Sequence, residues 1–335
     1  MSSKPVTSVD VARAAGVSQS AVSRYFTPGA SVSKKMAEKI RVAAEELGYR
    51  PNVLARAMIT GKSRIIGLVV YYLENQFYPE AVEKLSIALQ ENGYHVLLFM
   101  ASNTIGDVEP VVQSILDYRV DGIIMISVSM SSTLADRCRA QNIPVMLFNR
   151  DQPKQDLLAV TSDNVAGGRI AAGMLLQGKP QRIAHLAGFD GASTQIDREA
   201  GFLAALEEAG TTLAARAVGN FHYSDAADAT RELFDVPEPP DALFATDDHM
   251  AFAALDVIRY EMRLRVPEDV AVVGFDDVGQ ASWPSFDLST VRQRLNMMVS
   301  ACVDELIGAI ENPAFPVRKT RIAPVPIHRG TTKNG

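Results

Sequence analysis

Gln19, Ser20 and Arg24 follow directly behind Ser18, at a spacing that sets all three on one face of a helix. A glutamine amide pairs a donor with an acceptor, which matches adenine N6 and N7, and an arginine fork matches guanine O6 and N7. A serine hydroxyl accepts either partner, so the three side chains can report on neighbouring base pairs. A second polar set stands at the ends of short apolar runs. Asn149 and Arg150 follow PVMLF, Asp247 follows ALFAT, Asp276 follows VAVVGF, and Arg198 is expected to open a helix after a small-residue loop. Carboxylates, an amide and guanidinium groups give and accept the bidentate hydrogen bonds that a polyol offers. Other chemistries have no motif behind them. His95, His185, His222, His249 and His328 are scattered, with no HExxH and no pair at helical spacing, so no metal is expected. Ser193 sits in GASTQ and not in a GxSxG elbow, and neither a P-loop nor a GxGxxG occurs. An enzyme reading therefore lacks a nucleophile, and no cofactor is expected.

The elements that position the first set are short and well punctuated. Thr7 is a good N-cap with Asp10 three residues on, and Gly16 stops the helix that follows. Ser18 caps a second helix through Phe26. Two short helices with a glycine in the turn make a helix-turn-helix, whose second helix enters a major groove. A third helix, capped by Ser33 and ended by Gly48, is expected to pack Ile40 and Leu47 under Val11, Val17 and Val22. Charge is segregated in the same direction. Residues 1–63 hold ten Lys or Arg against four Asp or Glu, a net of +6, whereas the whole chain carries −6, which leaves −12 on the remainder. An acidic protein with a basic head binds polyanions through the head. Beyond it, Pro51 stops the third helix, and residues 53–60 form one or two amphipathic turns, too short to be stable alone.

At 335 residues the chain exceeds one core, and 47% hydrophobic with 21% charged residues is ordinary for a soluble globular protein. Strand-like runs fall at 65–70, 95–100, 122–126, 144–148, 182–188, 242–246 and 270–275. Helix-period segments begin near Tyr78, Asp107, Ser131, Asn164, Arg198, Asp225 and Asp248. Near-continuous apolar strands separated by helices indicate parallel sheets covered on both faces, arranged here as two doubly wound subdomains. The first residues, MSSKPVTS, lack the apolar run of a signal peptide, and no stretch of eighteen apolar residues occurs. A cytoplasmic location, at the bacterial nucleoid and with no membrane partner, is expected. Cys138 and Cys302 are far apart, each within a helical pattern, which argues against a disulfide.

Taken with the module before it, the stretch RPNVLARAMITGK resembles the LacI/GalR family of ligand-responsive repressors. The resemblance makes residues 53–60 the hinge helix that folds on binding DNA. In that family paired hinge helices enter the minor groove and wedge an apolar side chain between bases. The matching wedge here is Met58, where leucine is usual, with Ala55 alongside. By the same resemblance, Gln19, Ser20 and Arg24 read the major groove of a near-palindromic operator, one head per half-site of a homodimer. Thr7, Ser18, Ser23, Thr27, Ser33, Tyr49 and Asn52 then touch phosphates.

The stretches VTSDNVAGGRIAAGMLL, DREAGFLAAL, FATDDHMAFAALDVIR, VPEDVAVVGFDD and LSTVRQ are similar to the family's recurring motifs, in order. They imply a small all-α helix-turn-helix head plus an α/β body of two doubly wound parallel-sheet subdomains, shaped like a periplasmic binding protein. The head is then 1–50, the hinge helix and linker 51–63, and the ligand-binding and dimerisation body 64–335. Crossings near Ser162, Gln293 and Ala323 give an N-subdomain of 64–162 with 293–322, and a C-subdomain of 163–292 with 323–331. A small effector sits in the cleft, walled by Phe77, Tyr78 and Phe221 and bonded by Asn149, Arg150, Thr194, Arg198, Asp247 and Asp276. Asp248 and Asp277 are expected to be helix caps or loop anchors. Many relatives have asparagine at the Asp247 position, so a hydroxyl or amine of the ligand is favoured there over an anion. Purine-binding members carry a second arginine where this chain has Ala192. A sugar or sugar derivative is therefore the first choice of effector. A purine or other metabolite acting as corepressor is the alternative, and a sugar-binding or sugar-processing protein is the rival from another class. The absence of leucine heptads argues against tetramers.

Overall fold

A computed structural model describes residues 6–26, 30–50, 62–101, 109–152 and 155–333. The expectations at Thr27, Asn52, Ala55, Met58, the 53–60 helix and the helix start near Asp107 lie outside those residues. Contacts divide the chain into two units, Met1–Ser63 and Arg64–Gly335.

In the first unit, α1 (Ser8–Ala15) starts where Thr7 and Asp10 close a reciprocal cap. The Thr7 N–H donates to Asp10 Oδ2 at 3.0 Å, and the Asp10 N–H donates to Thr7 Oγ1 at 3.4 Å. Such a cap stabilises a helix by about 1 kcal/mol. Gly16 ends α1 at φ +64°, a left-handed conformation that glycine adopts without strain. The Ser18 hydroxyl accepts from the Ala21 N–H at 3.2 Å and starts α2 (Gln19–Tyr25). Ser33 stands at the N-cap of α3 (Lys34–Glu46) but makes no side-chain capping bond. Val11, Ala12, Ala15, Ala21, Val22, Ile40, Ala43 and Ala44 form the buried core. Leu47 is not part of it. It lies at the C-cap of α3, 37% exposed, and the small Ala43 and Ala44 let the helices approach in its place.

The second unit alternates strands and helices: β1 (Ile65–Val70), α4 (Phe77–Glu91), β2 (His95–Met100), α5 (Glu109–Asp117), β3 (Gly122–Ile126), α6 (Ser132–Ala140), β4 (Val145–Phe148), β5 (Leu158–Ser162) and α7 (Asn164–Leu176). It continues through β6 (Ile183–Ala187), α8 (Ser193–Glu208), β7 (Leu213–Val218), α9 (Tyr223–Phe234), β8 (Ala242–Ala245), α10 (Asp248–Asp256), β9 (Ala271–Asp276), β10 (Ser289–Arg292), α11 (Leu295–Glu311), β11 (Lys319–Ile322) and β12 (Val325–Ile327). The first sheet runs β11-β5-β4-β3-β1-β2, all parallel. The second runs β12-β10-β9-β8-β6-β7, and only its edge strand β12 is antiparallel. Each sheet reverses strand order once, between β1 and β3 and between β6 and β8. A ligand crevice opens at the carboxyl ends of strands at such a reversal. The chain passes from the first sheet to the second after β5, returns after β10, and crosses again between β11 and β12.

Two packing features fix where the cleft residues stand. Leu295, Met298, Val299, Cys302, Val303 and Leu306 make one buried stripe along α11, at the 3–4 residue spacing of an amphipathic helix. Helices α7 and α8 approach so closely that a Cβ on Gly168 would stand 2.0 Å from the Arg198 carbonyl oxygen, and one on Gly201 2.0 Å from that of Val165. Arg198 itself differs from the expectation. It lies in the second turn of α8 and does not open the helix, because Ser193 and Thr194 already start it behind Ala192. Among the described residues, no helix is long and apolar enough to cross a membrane.

Candidate functional site

In the head, α2 divides by helical periodicity. Ala21 and Val22 are buried, while Gln19, Ser20, Ser23 and Arg24 are exposed along the other face. The polar tips rest on local partners. Gln19 Nε2 donates to Ser8 Oγ at 3.1 Å, the Ser18 and Ser20 hydroxyls bond at 2.9 Å, and Arg24 Nε donates to the Ser20 carbonyl at 3.4 Å. Exposed bonds of this kind are worth little, so a base edge can replace them. Thr7, Ser18 and Ser33 are the N-caps of the three head helices. A helix N-terminus presents unpaired N–H groups and a partial positive charge, which suits a phosphate. Tyr49 is half-buried with its ring edge-on to Phe26 at 5.6 Å.

In the body, the strand ends converge on a cleft. Asn149 and Arg150 follow β4 and are 5% exposed each, and Ser127 follows β3 at 4%. Asn149 Nδ2 donates to Ser127 Oγ at 3.2 Å. From the other sheet come Asp247 after β8, at 2% exposure, and Asp276 ending β9, at 7%. Ser127, Asn149, Phe221 and Asp276 all have positive φ, at 54°, 63°, 66° and 122°. Backbone held there is strained, and such strain concentrates where side chains must be aimed. Arg198 Nε donates to Asn164 Oδ1 at 2.9 Å, NH1 to the Thr246 carbonyl at 2.6 Å, and NH2 reaches Asp276 Oδ1 at 3.5 Å. Its guanidinium lies 3.6 Å from the Phe275 ring centre. Thr194 is buried in the first turn of α8.

Three hydrogen bonds join the two sheets' sides. Asn75 Nδ2 donates to Asp247 Oδ2 at 2.9 Å, the Tyr72 hydroxyl to the Phe221 carbonyl at 2.9 Å, and the Asp151 N–H to Ser193 Oγ at 3.1 Å. The Phe221 ring lies so close over Gly188 that a Cβ there would stand 2.1 Å from it. Phe77 and Tyr78 are buried with their rings edge-on at 5.7 Å.

Charge in the cleft is confined and mostly answered. Burial pushes Asp276 up to about 7, with Arg198 pulling the other way and Asp247 adding to the rise. Burial likewise pushes Asp247 up to about 6, against the Met250 N–H, Arg198 and Asn75. Asp248 is raised well above the usual range by burial, then by Asp276, and holds Thr290 Oγ1 at 2.6 Å and the Val278 N–H at 2.9 Å. It is a loop anchor, as is Asp277, which pairs with Arg292 at 2.5 Å and Arg329 at 2.6 Å. Asp247 doubles as the N-cap of α10, accepting from the Met250 N–H at 2.8 Å. Three buried groups stand differently. Among the described residues, Asn149 Oδ1, Gln293 Oε1 and Arg150 Nε have no hydrogen-bond partner.

The structure thus brings Phe77, Tyr78, Asn149, Arg150, Arg198, Phe221, Asp247 and Asp276 to the strand ends that face one another, with Thr194 nearby. Sequence reasoning missed Tyr72, Asn75, Ser127, Asn164, Thr246 and Gln293. Asn75 orients Asp247, and Gln293 Nε2 donates to Asp276 Oδ1 at 2.7 Å. Tyr72, Ser127 and Thr246 each stand one or two residues beyond a strand, the same positional signal that picked out Asn149 and Asp247.

A helix-turn-helix head with an exposed polar face on its second helix, joined in one chain to a two-sheet body with a polar cleft, defines a DNA-binding regulator that carries a ligand pocket. Residues 8–52 match the model of bacterial regulatory proteins of the lacI family, and residues 66–282 match that of a periplasmic binding protein domain. The ribose operon repressor of Escherichia coli K12 is 29% identical over 329 residues, 96% of this chain and 98% of that protein. The transcriptional regulator CelR of Thermobifida fusca is 32% identical over 93% of this chain and 95% of its own. The crystal structure of the Lac repressor dimer bound to operator and the anti-inducer ONPF superposes with a TM-score of 0.87 at 27% identity, covering 98% and 99% of the two chains. The chain belongs to the LacI family of bacterial regulatory proteins, and it is a DNA-binding transcriptional regulator.

Proposed function

We propose that this regulator is a cytoplasmic homodimeric repressor whose affinity for a near-palindromic operator is set by a sugar or sugar derivative held in the cleft. One observation carries the reading: buried, partnerless polar atoms of Asn149, Arg150 and Gln293 gather at the strand ends, beside aromatic side chains. A buried polar group without a partner costs about 1–3 kcal/mol, and a polyhydroxylated ligand supplies the missing donors and acceptors. The ribose operon repressor and the operator-bound Lac repressor dimer are similar along nearly the whole chain, which supports the same arrangement here.

In this reading residues 1–50 bind DNA, 51–63 form the hinge, and the body senses and dimerises. Gln19, Ser20 and Arg24 read bases, while Thr7, Ser18, Ser23, Thr27, Ser33, Tyr49 and Asn52 touch phosphates, which sets register. Ala55 and Met58 enter the minor groove. Phe77, Tyr78 and Phe221 wall the ligand, and Asn149, Arg150, Thr194, Arg198, Asp247 and Asp276 bond its polar groups. Ligand occupancy changes the bonds that cross the cleft at Asn75, Tyr72 and Asp151, moves one subdomain against the other and changes the spacing of the two hinges. In this reading the cleft binds and releases its ligand unchanged.

The test is thermal unfolding of the full chain against sugars, sugar acids, polyols, sugar phosphates and purines. A ligand at a hundred times its dissociation constant adds about 2.7 kcal/mol of stability. Stabilisation by a sugar class is expected, and stabilisation by purines alone would replace the sugar with the purine reading.

A further inference from the structure

The effector's charge follows from one residue. Arg150 is 5% exposed, its Nε is buried without a partner, and among the described residues its guanidinium makes no hydrogen bond and no ion pair. Burial lowers its pKa, and the groups that act on it in the other direction are the phenols of Tyr78 and Tyr72, which burial itself keeps neutral. Among the described residues, the carboxylates at the strand ends are engaged elsewhere. Asp151, its neighbour in sequence, pairs with Lys319 at 2.9 Å. Asp276 faces Arg198 at 3.5 Å and accepts from Gln293 at 2.7 Å. Asp247 is held by the Met250 N–H and Asn75. The preceding residue on the same strand end, Asn149, is an amide, and its Nδ2 is turned to Ser127.

We infer that the effector is an anionic sugar, a uronic or aldonic acid, whose carboxylate binds Arg150. This rests on the sugar reading above and adds the charge. A buried guanidinium without a counter-ion is costly, and a carboxylate answers its planar fork with two parallel hydrogen bonds. One free guanidinium matches one negative charge, because Arg198 is taken up by Asp276, Asn164 and the Thr246 carbonyl. A sugar phosphate, with nearly two charges, would leave part of its charge unanswered. The hydroxyls of the acid supply donors to the partnerless Asn149 Oδ1 and Gln293 Oε1. The second sheet's side, with Asp247 and Asp276, receives the hydroxylated end and repels the carboxylate, so the ligand has one orientation.

The experiment is isothermal titration calorimetry of the full chain with D-glucuronate, D-galacturonate and D-gluconate beside D-glucose, D-galactose and D-ribose. At least one acid is expected to bind about tenfold or more tightly than its neutral counterpart. In Arg150→Gln that preference is expected to vanish, and in Arg150→Lys, which keeps the charge and loses the fork, it should be partly retained. A neutral sugar bound more tightly than all three acids would overturn the anionic assignment and leave the sugar reading standing. Binding of none of the six would overturn both. A measurement without ligand guards against a variant that folds poorly: Arg150→Met is expected to raise the unfolding temperature of the free protein, since it removes an unanswered buried charge. A lowered temperature would show that Arg150 has a structural partner and would defeat the inference.

Discussion

Replacing Asp247 with asparagine isolates the cost of holding a buried carboxylate at the end of β8. Burial is the main cause of its rise from 3.8 to about 6. At about 1.36 kcal/mol per pKa unit, that gap is worth about 3 kcal/mol. A raised carboxylate stabilises the fold below its unfolded value, and that contribution is lost as pH rises through the folded value. At pH 8 the free protein therefore carries the full penalty, and at pH 4 very little of it. Asparagine has no such dependence. It still accepts the Met250 N–H, but it sets an amide against Asn75 Nδ2, which costs about 1 kcal/mol. Asp247→Asn is expected to stabilise the protein by about 2 kcal/mol at pH 8 and to destabilise it by up to about 1 kcal/mol at pH 4, where little of the penalty remains to offset the lost bond. Urea unfolding followed by circular dichroism at both pH values reads the difference directly. Equal differences at pH 4 and pH 8 would refute the reasoning, because a carboxylate that does not titrate between them carries no desolvation penalty.

Three further outcomes follow from the geometry. Arg24→Ala is expected to cost roughly 1–3 kcal/mol of operator binding and to relax preference at one base pair, which a gel-shift series on operator variants measures; unchanged base preference would remove Arg24 from the reading set. Tyr72→Phe deletes the bond to the Phe221 carbonyl across the cleft, worth about 1 kcal/mol, so calorimetry should record a several-fold loss of effector affinity; an identical dissociation constant would mean that the bond does not favour closure. Gly168→Ala forces α7 away from the Arg198 carbonyl and is expected to lower stability by about 1–3 kcal/mol while weakening effector binding; a wild-type unfolding midpoint would contradict the close approach of α7 and α8.

The parts of the fold that were legible are those with a local signal. Thr7, Gly16 and Ser18 delimit α1 and α2 by their own hydrogen bonds and φ angles, and the apolar runs from IIGLVV to VAVVGF mark β1, β2, β3, β4, β6, β8 and β9. Strands β5, β7, β10, β11 and β12 escaped because LAVTS, LAARAV, STVR, KTRI and VPI are short or mixed in polarity. Their identity comes from neighbouring strands, which a run of residues does not display. The site shows the same division. Strand-end position singled out Asn149, Arg150, Asp247 and Asp276, whereas Asn75, Asn164 and Gln293 matter through partners 172, 34 and 17 residues away. Arg198 was expected one turn too close to its helix start because the loop before it reads as small and flexible. The partnerless state of Arg150 is a property of packing and is visible only with the neighbours in place.

In the proposed function the cleft and the head are energetically coupled. The measurement that tests it most directly is the operator dissociation constant of the full chain, by fluorescence anisotropy on an operator selected from random DNA, with and without saturating effector. Coupling energies of 1–3 kcal/mol correspond to about 5- to 150-fold. A change of that size is expected, matched by the same factor in effector affinity when operator is bound. An operator dissociation constant that stays the same at every effector concentration would contradict it.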